Sequence, residues 1–195
     1  FLSYAGGAHA PGHTDPREAV RAGHHLLLAH GLATTALREV ARPGTELGIT
    51  LNFTPAIPAG DDPADVDVAR RVDGTANRFF VHPIFAGEYP AAVRTDLASC
   101  WDDNLLADGD LAAISTPIDV LGVNYYTRAF MSAETPPRKP ECKLGVNDMG
   151  WETYPQGLTE LLVGLHREYR LPPVYITENG MAVADKPVDG KVHDQ

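Results

Sequence analysis

One glutamate ends the most strand-like stretch of the chain and is the residue best suited to chemistry. Residues 174–180 begin with β-branched and aromatic side chains, turn polar, and stop at a glycine. This pattern is typical of a buried parallel strand whose last side chains emerge at one end of a sheet. Because active sites of α/β proteins lie at that end, Glu178 is a candidate nucleophile or general acid/base. The alternative is an Asn179-Gly180 turn with an unrelated glutamate beside it.

Two other strand-like stretches also end in polar side chains. Asn52 ends the first, and Asn124 and Tyr126 end the second. In a parallel sheet these groups converge with Glu178, where Asn and Tyr can hydrogen-bond sugar hydroxyls or orient a carboxylate. A hydrogen bond donated by Tyr126 to Glu178 favours the ionised carboxylate that a nucleophile needs. The alternative for Asn52 and Asn124 is capping of backbone groups at the strand ends.

Trp151 lies in a loop shortly before a predicted helix. A large aromatic side chain in such a loop can form a flat platform for the apolar face of a sugar ring. The alternative is a core tryptophan that fixes the loop by packing. The sequence alone leaves both interpretations open.

Helical patterns precede and separate the three strand-like stretches. The first helix is predicted to begin at Asp15, with Pro16 at the first helical position and Glu18 closing a capping box. Pro43 and Gly44 end this helix. Its predicted apolar face consists of Ala19, Ala22, Leu26, Ala29, Ala33, Leu37 and Val40.

The remaining elements follow from periodicity and from the positions of proline and glycine. Strands are predicted at residues 47–53, 118–124 and 174–178, and further helices at residues 63–80, 91–97 and 158–169. A helical stretch at residues 105–114 is predicted to break at Gly109, and loops are predicted at residues 55–58, 83–90 and 128–150.

The alternation of strands and helices predicts an α/β fold with parallel strands joined by right-handed crossovers. Three strands cannot close a barrel, and an open sheet of three leaves an unpaired edge. We therefore expect residues 1–195 to form a single incomplete (β/α) domain, truncated at both ends from a longer protein.

Composition limits the classes of partner. The chain has 195 residues and a formal net charge of −10, which argues against nucleic acid or an anionic membrane as a partner because both need basic patches. No apolar run approaches the roughly 20 residues of a membrane span. Cys100 and Cys142 form no close pair, so a cytoplasmic location is expected.

The eight histidines raise the question of a metal site. None of them forms the i, i+4 helical pair with an adjacent glutamate that a zinc hydrolase uses. The sequence therefore predicts no metal and no cofactor.

Several segments together resemble glycoside hydrolase family 1, the β-glucosidase family. The run from Ile176 to Gly180 is similar to the nucleophile motif of this family. Residues 121–127 resemble its sixth strand, residues 150–158 the segment before its sixth helix, and residues 9–12 the loop after its fourth strand. Residues 47–58 and 83–90 also fit in the same order, so the resemblance covers essentially the whole chain.

This resemblance implies part of a TIM (β/α)8 barrel, from after the fourth strand to just past the seventh. It implies a retaining β-glycosidase that acts on a small β-glycoside or oligosaccharide, with Glu178 as the nucleophile. Tyr126 corresponds to the tyrosine that hydrogen-bonds this nucleophile, and Asn124 lies beside it. Trp151 corresponds to an aromatic wall on the aglycone side, and Asn52 to a polar residue near the same subsite.

The sequence also departs from the family pattern. The acid/base glutamate of the family is expected just before Phe1 and is not contained in this chain. Residues that hold the glycone hydroxyls on earlier strands, and those of the eighth-strand loop, are likewise absent. Glu88 and Glu152 lie in predicted loops and are not assigned a role. The alternative function is a part-barrel that binds sugars without cleaving them, or that scaffolds a partner.

Overall fold

The three predicted parallel strands lie side by side in one sheet. In a computed structural model that describes residues 1–192, the strands are β1 (Gly48–Phe53), β2 (Ala56–Pro58), β3 (Val120–Tyr125), β4 (Ala129–Met131) and β5 (Val174–Glu178). The helices are α1 (Pro16–Val40), α2 (Pro63–Asp73), α3 (Phe79–Ala86), α4 (Ala91–Asp96), α5 (Asp110–Ile114) and α6 (Gln156–Glu168). The last three residues of the predicted 1–195 domain lie outside the described range.

The sheet has the order β1-β3-β5, and both strand pairs are parallel. In the register of the sheet, Asn52 lies opposite Asn124, and Asn124 lies opposite Glu178. The register shifts by one residue near the end of β5, which inserts Thr177 as a β-bulge just before Glu178. The polar ends of the three strands therefore form one row along the sheet.

Two short strands occur where the sequence predicted only loops. Strand β2 lies in the predicted loop at residues 55–58, and β4 lies in the predicted loop at residues 128–150. They form a separate two-stranded parallel sheet. Strands of three residues are too short for a period-2 pattern to be read, which explains why the loop prediction was wrong here.

Helix α1 begins where predicted but buries a different face. Asp15 caps it by accepting a hydrogen bond from the Arg17 backbone N–H at 2.8 Å, whereas Glu18 pairs with Nδ1 of His13 instead of closing a capping box. Leu26 and Val40 of the predicted apolar face are 68% and 77% exposed. The buried residues are Ala19, Val20, Gly23, His24, Leu27, Gly31 and Thr34.

The buried face of α1 differs from the predicted apolar face because the neighbouring helix α5 lies very close. A Cβ atom built on Gly31 would lie 2.0 Å from the carbonyl oxygen of Ala113 in α5. Only glycine permits this approach. On the same face, the ring of His24 is fully buried and lies within hydrogen-bonding distance of Tyr89 and Asp110. On the buried face of α1, small and polar residues therefore occupy positions where a hydrophobic pattern predicts leucine.

The helix predicted at residues 63–80 is divided in the structure. Helix α2 ends at Asp73, a π-helical turn covers Gly74–Arg78, and α3 continues to Ala86. Pro83, which was expected to open a loop, lies inside α3 and is buried. Its burial offsets part of the cost of the backbone hydrogen bond that proline cannot make.

The helices flanking β3 and β1 enclose the main apolar core. Residues 105 and 106 are not helical, and the short α5 begins after Gly109, which adopts a left-handed conformation with φ of 92°. Core residues include Leu27, Phe53, Phe79, Val81, Ile114, Leu121, Val123 and Leu165. This core packs against one side of β3. It does not cover the polar ends of strands β1, β3 and β5.

No helix within residues 1–192 is both long and apolar enough to cross a membrane. Over the same residues, no three or more His, Cys, Asp or Glu side chains cluster in a way that suits a metal ion.

Candidate active site

Glu178 and Tyr126 are in direct contact. The phenol of Tyr126, one residue beyond β3, donates a hydrogen bond to Oε2 of Glu178 at the end of β5. Glu178 is exposed at the rim of the sheet and is not packed among apolar groups. The hydrogen bond to Glu178, followed by partial desolvation, raises the pKa of Tyr126 above its ordinary value. Tyr126 therefore remains a donor over the neutral range.

Alternation along β3 decides which tyrosine reaches this contact. Tyr125 points to the opposite side, where it is buried and donates its hydroxyl to the backbone oxygen of Tyr154 at 2.9 Å. Burial raises the pKa of Tyr125 to about 12. Tyr125 and Tyr126 therefore point to opposite sides of the sheet, as the two-residue period of a strand requires.

The polar residues on either side of Glu178 tie the end of β5 to β3. Thr177 donates its hydroxyl to Oδ1 of Asn124 at 2.6 Å, and the Asn179 side chain donates to the backbone oxygen of Tyr125 at 2.7 Å. Asn124 therefore touches the neighbour of Glu178. Sequence reasoning did not assign roles to Thr177 and Asn179, although their polar side chains at a strand end were the available signal.

Trp151 faces the same region from the loop before α6. Its ring centroid lies 5.8 Å from that of Tyr126 at an interplanar angle of 53°, and the residue remains 37% exposed. Within the described residues Trp151 is therefore partly exposed and lines a cleft. The loop is closed by hydrogen bonds between Asn147 and Trp151 in both directions, at 2.9 and 3.1 Å.

A cleft of about 950 Å3 joins these residues. Asn52, Tyr126 and Trp151 line it, together with the apolar side chains of Phe130, Val146 and Met149. Asn124 and Glu178 are not part of its lining, and Glu178 borders the cleft through its contact with Tyr126. The predicted residues therefore gather in one region, with Asn52, Tyr126 and Trp151 lining the cleft and Asn124 paired in register with Glu178.

Sequence reasoning also missed an ion pair in the lining of the cleft. The guanidinium of Arg128 donates two hydrogen bonds to the carboxylate of Glu152, at 2.7 and 3.1 Å. Glu152 had been left without a role as a loop residue, yet it is only 7% exposed. Its partner lies 24 positions away along the chain, and no local pattern identifies a pairing at that separation.

Comparison with known proteins supplies the family. The sequence matches the profile of glycosyl hydrolase family 1 over residues 1–195. The chain belongs to this family. Glycosyl hydrolase family 1 is the β-glucosidase family that the sequence motifs resemble, so the resemblance is confirmed.

Known members of glycosyl hydrolase family 1 match both the sequence and the fold. The chain is 38% identical to a β-glucosidase from Agrobacterium sp., covering 100% of this chain and 44% of that protein. The structure of a β-glucosidase from Exiguobacterium antarcticum superposes with a TM-score of 0.90 at 42% identity, covering 100% of this chain and 45% of the other.

A third family member carries a bound ligand. The virulence factor SghA of Agrobacterium tumefaciens, in complex with its substrate analogue salicin, has a TM-score of 0.88 at 37% identity, covering 99% of this chain and 44% of the other. The chain thus spans less than half the length of the relatives it matches. The expectation of a partial TIM (β/α)8 barrel with three parallel strands is confirmed.

Proposed function

We propose that the full-length protein containing this chain is a retaining β-glycosidase that hydrolyses β-linked glucosides or related sugars, with Glu178 as nucleophile. The observation that carries this proposal is the hydrogen bond from Tyr126 to the exposed carboxylate of Glu178 at the carboxyl end of the sheet. A donor in that position favours the ionised form that attacks carbon. Family membership supports the reaction class.

The proposed reaction is a double displacement. In the first step an oxygen of Glu178 forms a bond to the anomeric carbon as the bond to the leaving oxygen breaks, and an acid protonates that oxygen. In the second step water, activated by the same acid/base group, attacks the anomeric carbon and releases Glu178. Retaining enzymes hold the two carboxyl groups about 5–5.5 Å apart. In this scheme the acid/base glutamate is supplied from outside residues 1–195, so we expect this chain alone to be inactive.

The remaining predicted residues have supporting roles in this scheme. Trp151 forms a wall on the aglycone side, next to Tyr126. Asn52 contributes a polar group to the same side of the cleft. Asn124, tied to Thr177, keeps the end of β5 in register with β3 and lies next to the sugar-binding side.

The shape and lining of the cleft support the proposed substrate class. A cleft of about 950 Å3 with several apolar and aromatic walls suits the leaving group of a small β-glycoside or an oligosaccharide. The salicin complex of the related SghA is in keeping with this class. The cytoplasmic location expected from the two cysteines remains a prediction.

The test is a substitution in the full-length protein. Glu178→Gln removes the nucleophilic oxygen and keeps the shape, so turnover of an aryl β-glucoside should fall by about 10⁴-fold or more. Glu88→Gln, at a side chain that is 74% exposed, is the matched control and should retain full activity. Undiminished turnover by the Glu178 variant would show that the nucleophile is elsewhere. Sugar binding without turnover by the unaltered protein would favour the non-catalytic alternative.

A further inference from the structure

Trp151 is only partly packed, so its orientation depends on how its loop is attached to the rest of the fold. The residue is 37% exposed and lies on a turn that includes Gly150, whose φ is 75°. The hydrogen bonds between the Trp151 backbone and the backbone and side chain of Asn147 close the turn but do not attach it to the sheet. An aromatic wall can discriminate between ligands only if its orientation relative to the reacting group is fixed.

The next residue, Glu152, supplies this attachment. Its backbone oxygen accepts a hydrogen bond from the hydroxyl of Thr127 at 2.9 Å. Its carboxylate accepts the two hydrogen bonds from Arg128. Both side chains are well buried, with 18% of Arg128 and 6% of Glu152 exposed. A bidentate pair in this geometry fixes direction as well as distance.

Arg128 is itself held in place by aromatic rings. Its guanidinium carbon lies 3.5 Å from the ring centroid of Tyr154 and 4.6 Å from that of Phe130. It also separates the cleft from a smaller cavity of about 210 Å3 that lies against α6. Neither the guanidinium nor the carboxylate can therefore change direction without disturbing the cleft wall.

The anchors and the donor to Glu178 are consecutive residues. Tyr126 donates to Glu178, Thr127 donates to the backbone of Glu152, and Arg128 binds its carboxylate. This three-residue segment after β3 therefore connects the proposed nucleophile to the loop that carries Trp151. A shift of the Glu152 loop moves the aromatic wall relative to the bond that is cleaved.

We propose that Arg128 and Glu152 are positioning residues that orient Trp151 and thereby determine selectivity for the leaving group. This inference rests on the function proposed above. The pair does not touch the reacting atoms, and its effect is confined to the part of the substrate that reaches Trp151. Substrates with a large aglycone depend on the pair, whereas a substrate with a single-atom leaving group does not.

The experiment compares two substrates of the full-length protein that share a glucosyl group. Para-nitrophenyl β-glucoside has an aromatic aglycone, and β-glucosyl fluoride has none. In the double variant Arg128→Met/Glu152→Gln, which leaves no unpaired buried charge, the ratio of kcat/KM for the aryl glucoside to that for the fluoride should fall by about tenfold. Trp151→Ala should lower the same ratio.

A control and a milder variant complete the test. Arg70→Met/Asp96→Asn removes a second bidentate pair, between α2 and α4, and should leave the ratio unchanged. Should the double variant at Arg128 fail to fold, Thr127→Val removes one anchor of Glu152 without a change of charge and should lower the ratio by about two- to threefold.

The outcomes separate the two proposals. A fall in the ratio supports the positioning role. An unchanged ratio overturns that role, whether both kcat/KM values fall equally, as for a purely structural pair, or neither falls. Failure of the unaltered protein to cleave either substrate overturns the proposed function and this inference together.

Discussion

The hydroxyl of Tyr126 donates a hydrogen bond to Glu178 across the boundary between strands β3 and β5. The contact exists because Asn124 and Glu178 are partners in the strand register, and Tyr126 follows Asn124 by two residues, which places its side chain on the same face as that of Asn124. A bulge at Thr177 sets the direction of Glu178, and the hydrogen bond from Thr177 to Asn124 holds this bulge. The geometry of the site is thus a consequence of strand pairing.

Replacing Tyr126 by phenylalanine tests the importance of this donor. Tyr126→Phe keeps the ring against Trp151 and removes the hydroxyl, so kcat/KM for an aryl β-glucoside should fall by about 10²-fold in the full-length protein. Tyr175→Phe is the matched control, because Tyr175 lies on the same strand as Glu178 and its hydroxyl makes no hydrogen bond within residues 1–192. Equal kcat/KM values for both variants would contradict a role for the hydrogen bond.

The raised pKa of Tyr126 leads to a prediction about pH. The hydrogen bond to Glu178 raises the pKa above the ordinary value of about 10. A contact that raises the pKa is fully present below that ordinary value and is lost as the pH rises through the folded-state pKa. Tyrosinate absorbance of the unaltered protein minus that of Tyr126→Phe should therefore show one tyrosine titrating above about pH 10. A midpoint below that value would be evidence against the contact in solution.

Two helix-interior glycines provide a matched test of packing. A Cβ atom on Gly31 would lie 2.0 Å from the Ala113 carbonyl oxygen, whereas no heavy atom lies within 4 Å of the corresponding position on Gly164. Gly31→Ala should lower the free energy of unfolding by about 1–3 kcal/mol through overpacking. Gly164→Ala should raise it by up to about 1 kcal/mol through helix propensity. Urea unfolding measures both, and a Gly31→Ala variant that is as stable as the unaltered protein would show that α1 and α5 are less closely packed.

The network around His24 predicts an acid-dependent loss of stability. Nδ1 of this buried histidine lies 3.0 Å from the Tyr89 hydroxyl, and Nε2 lies 3.1 Å from Oδ2 of Asp110. The backbone N–H of Ala107, and then His24, lower the pKa of Asp110. A lowered carboxylate pKa contributes stability above the ordinary value of about 3.9, and this contribution is lost as the pH falls through the folded-state pKa.

Asp110→Asn should therefore lower the free energy of unfolding at neutral pH and make its decline toward acid pH less steep. Urea unfolding of the full-length protein at a series of pH values measures this dependence. Asp108→Asn, at an exposed neighbour, serves as the control. An acid dependence identical in the Asp110 variant and the unaltered protein would show that the carboxylate does not stabilise the network.

The strands and the convergence of their polar ends could be predicted from sequence. Each strand is rich in apolar residues and carries polar side chains near its end, and parallel strands place those ends together. Alternation predicts that only one of the adjacent Tyr125 and Tyr126 faces the site, and the choice of Tyr126 came from the family resemblance. These features depend on residues that are close together in the chain, so local sequence patterns predict them.

The features that could not be predicted depend on contacts between distant residues. The buried face of α1 is determined by the approach of Ala113 to Gly31 and by the partners of His24, so hydrophobicity pointed to Leu26 instead. The burial of Glu152 depends on Arg128 in another loop. No local sequence pattern shows that a glutamate in a loop forms an ion pair.

The central claim, that Glu178 is the nucleophile, is tested most directly by trapping the covalent intermediate. The full-length protein is incubated with an activated β-glucoside in which fluorine replaces the hydroxyl beside the anomeric carbon, which slows hydrolysis of the glycosyl-enzyme. Peptide mass spectrometry should then find one added fluoroglucosyl group on the peptide that contains Glu178, and none in Glu178→Gln. Attachment to a different carboxylate, or turnover of β-glucosides without any labelled Glu178, would contradict the account.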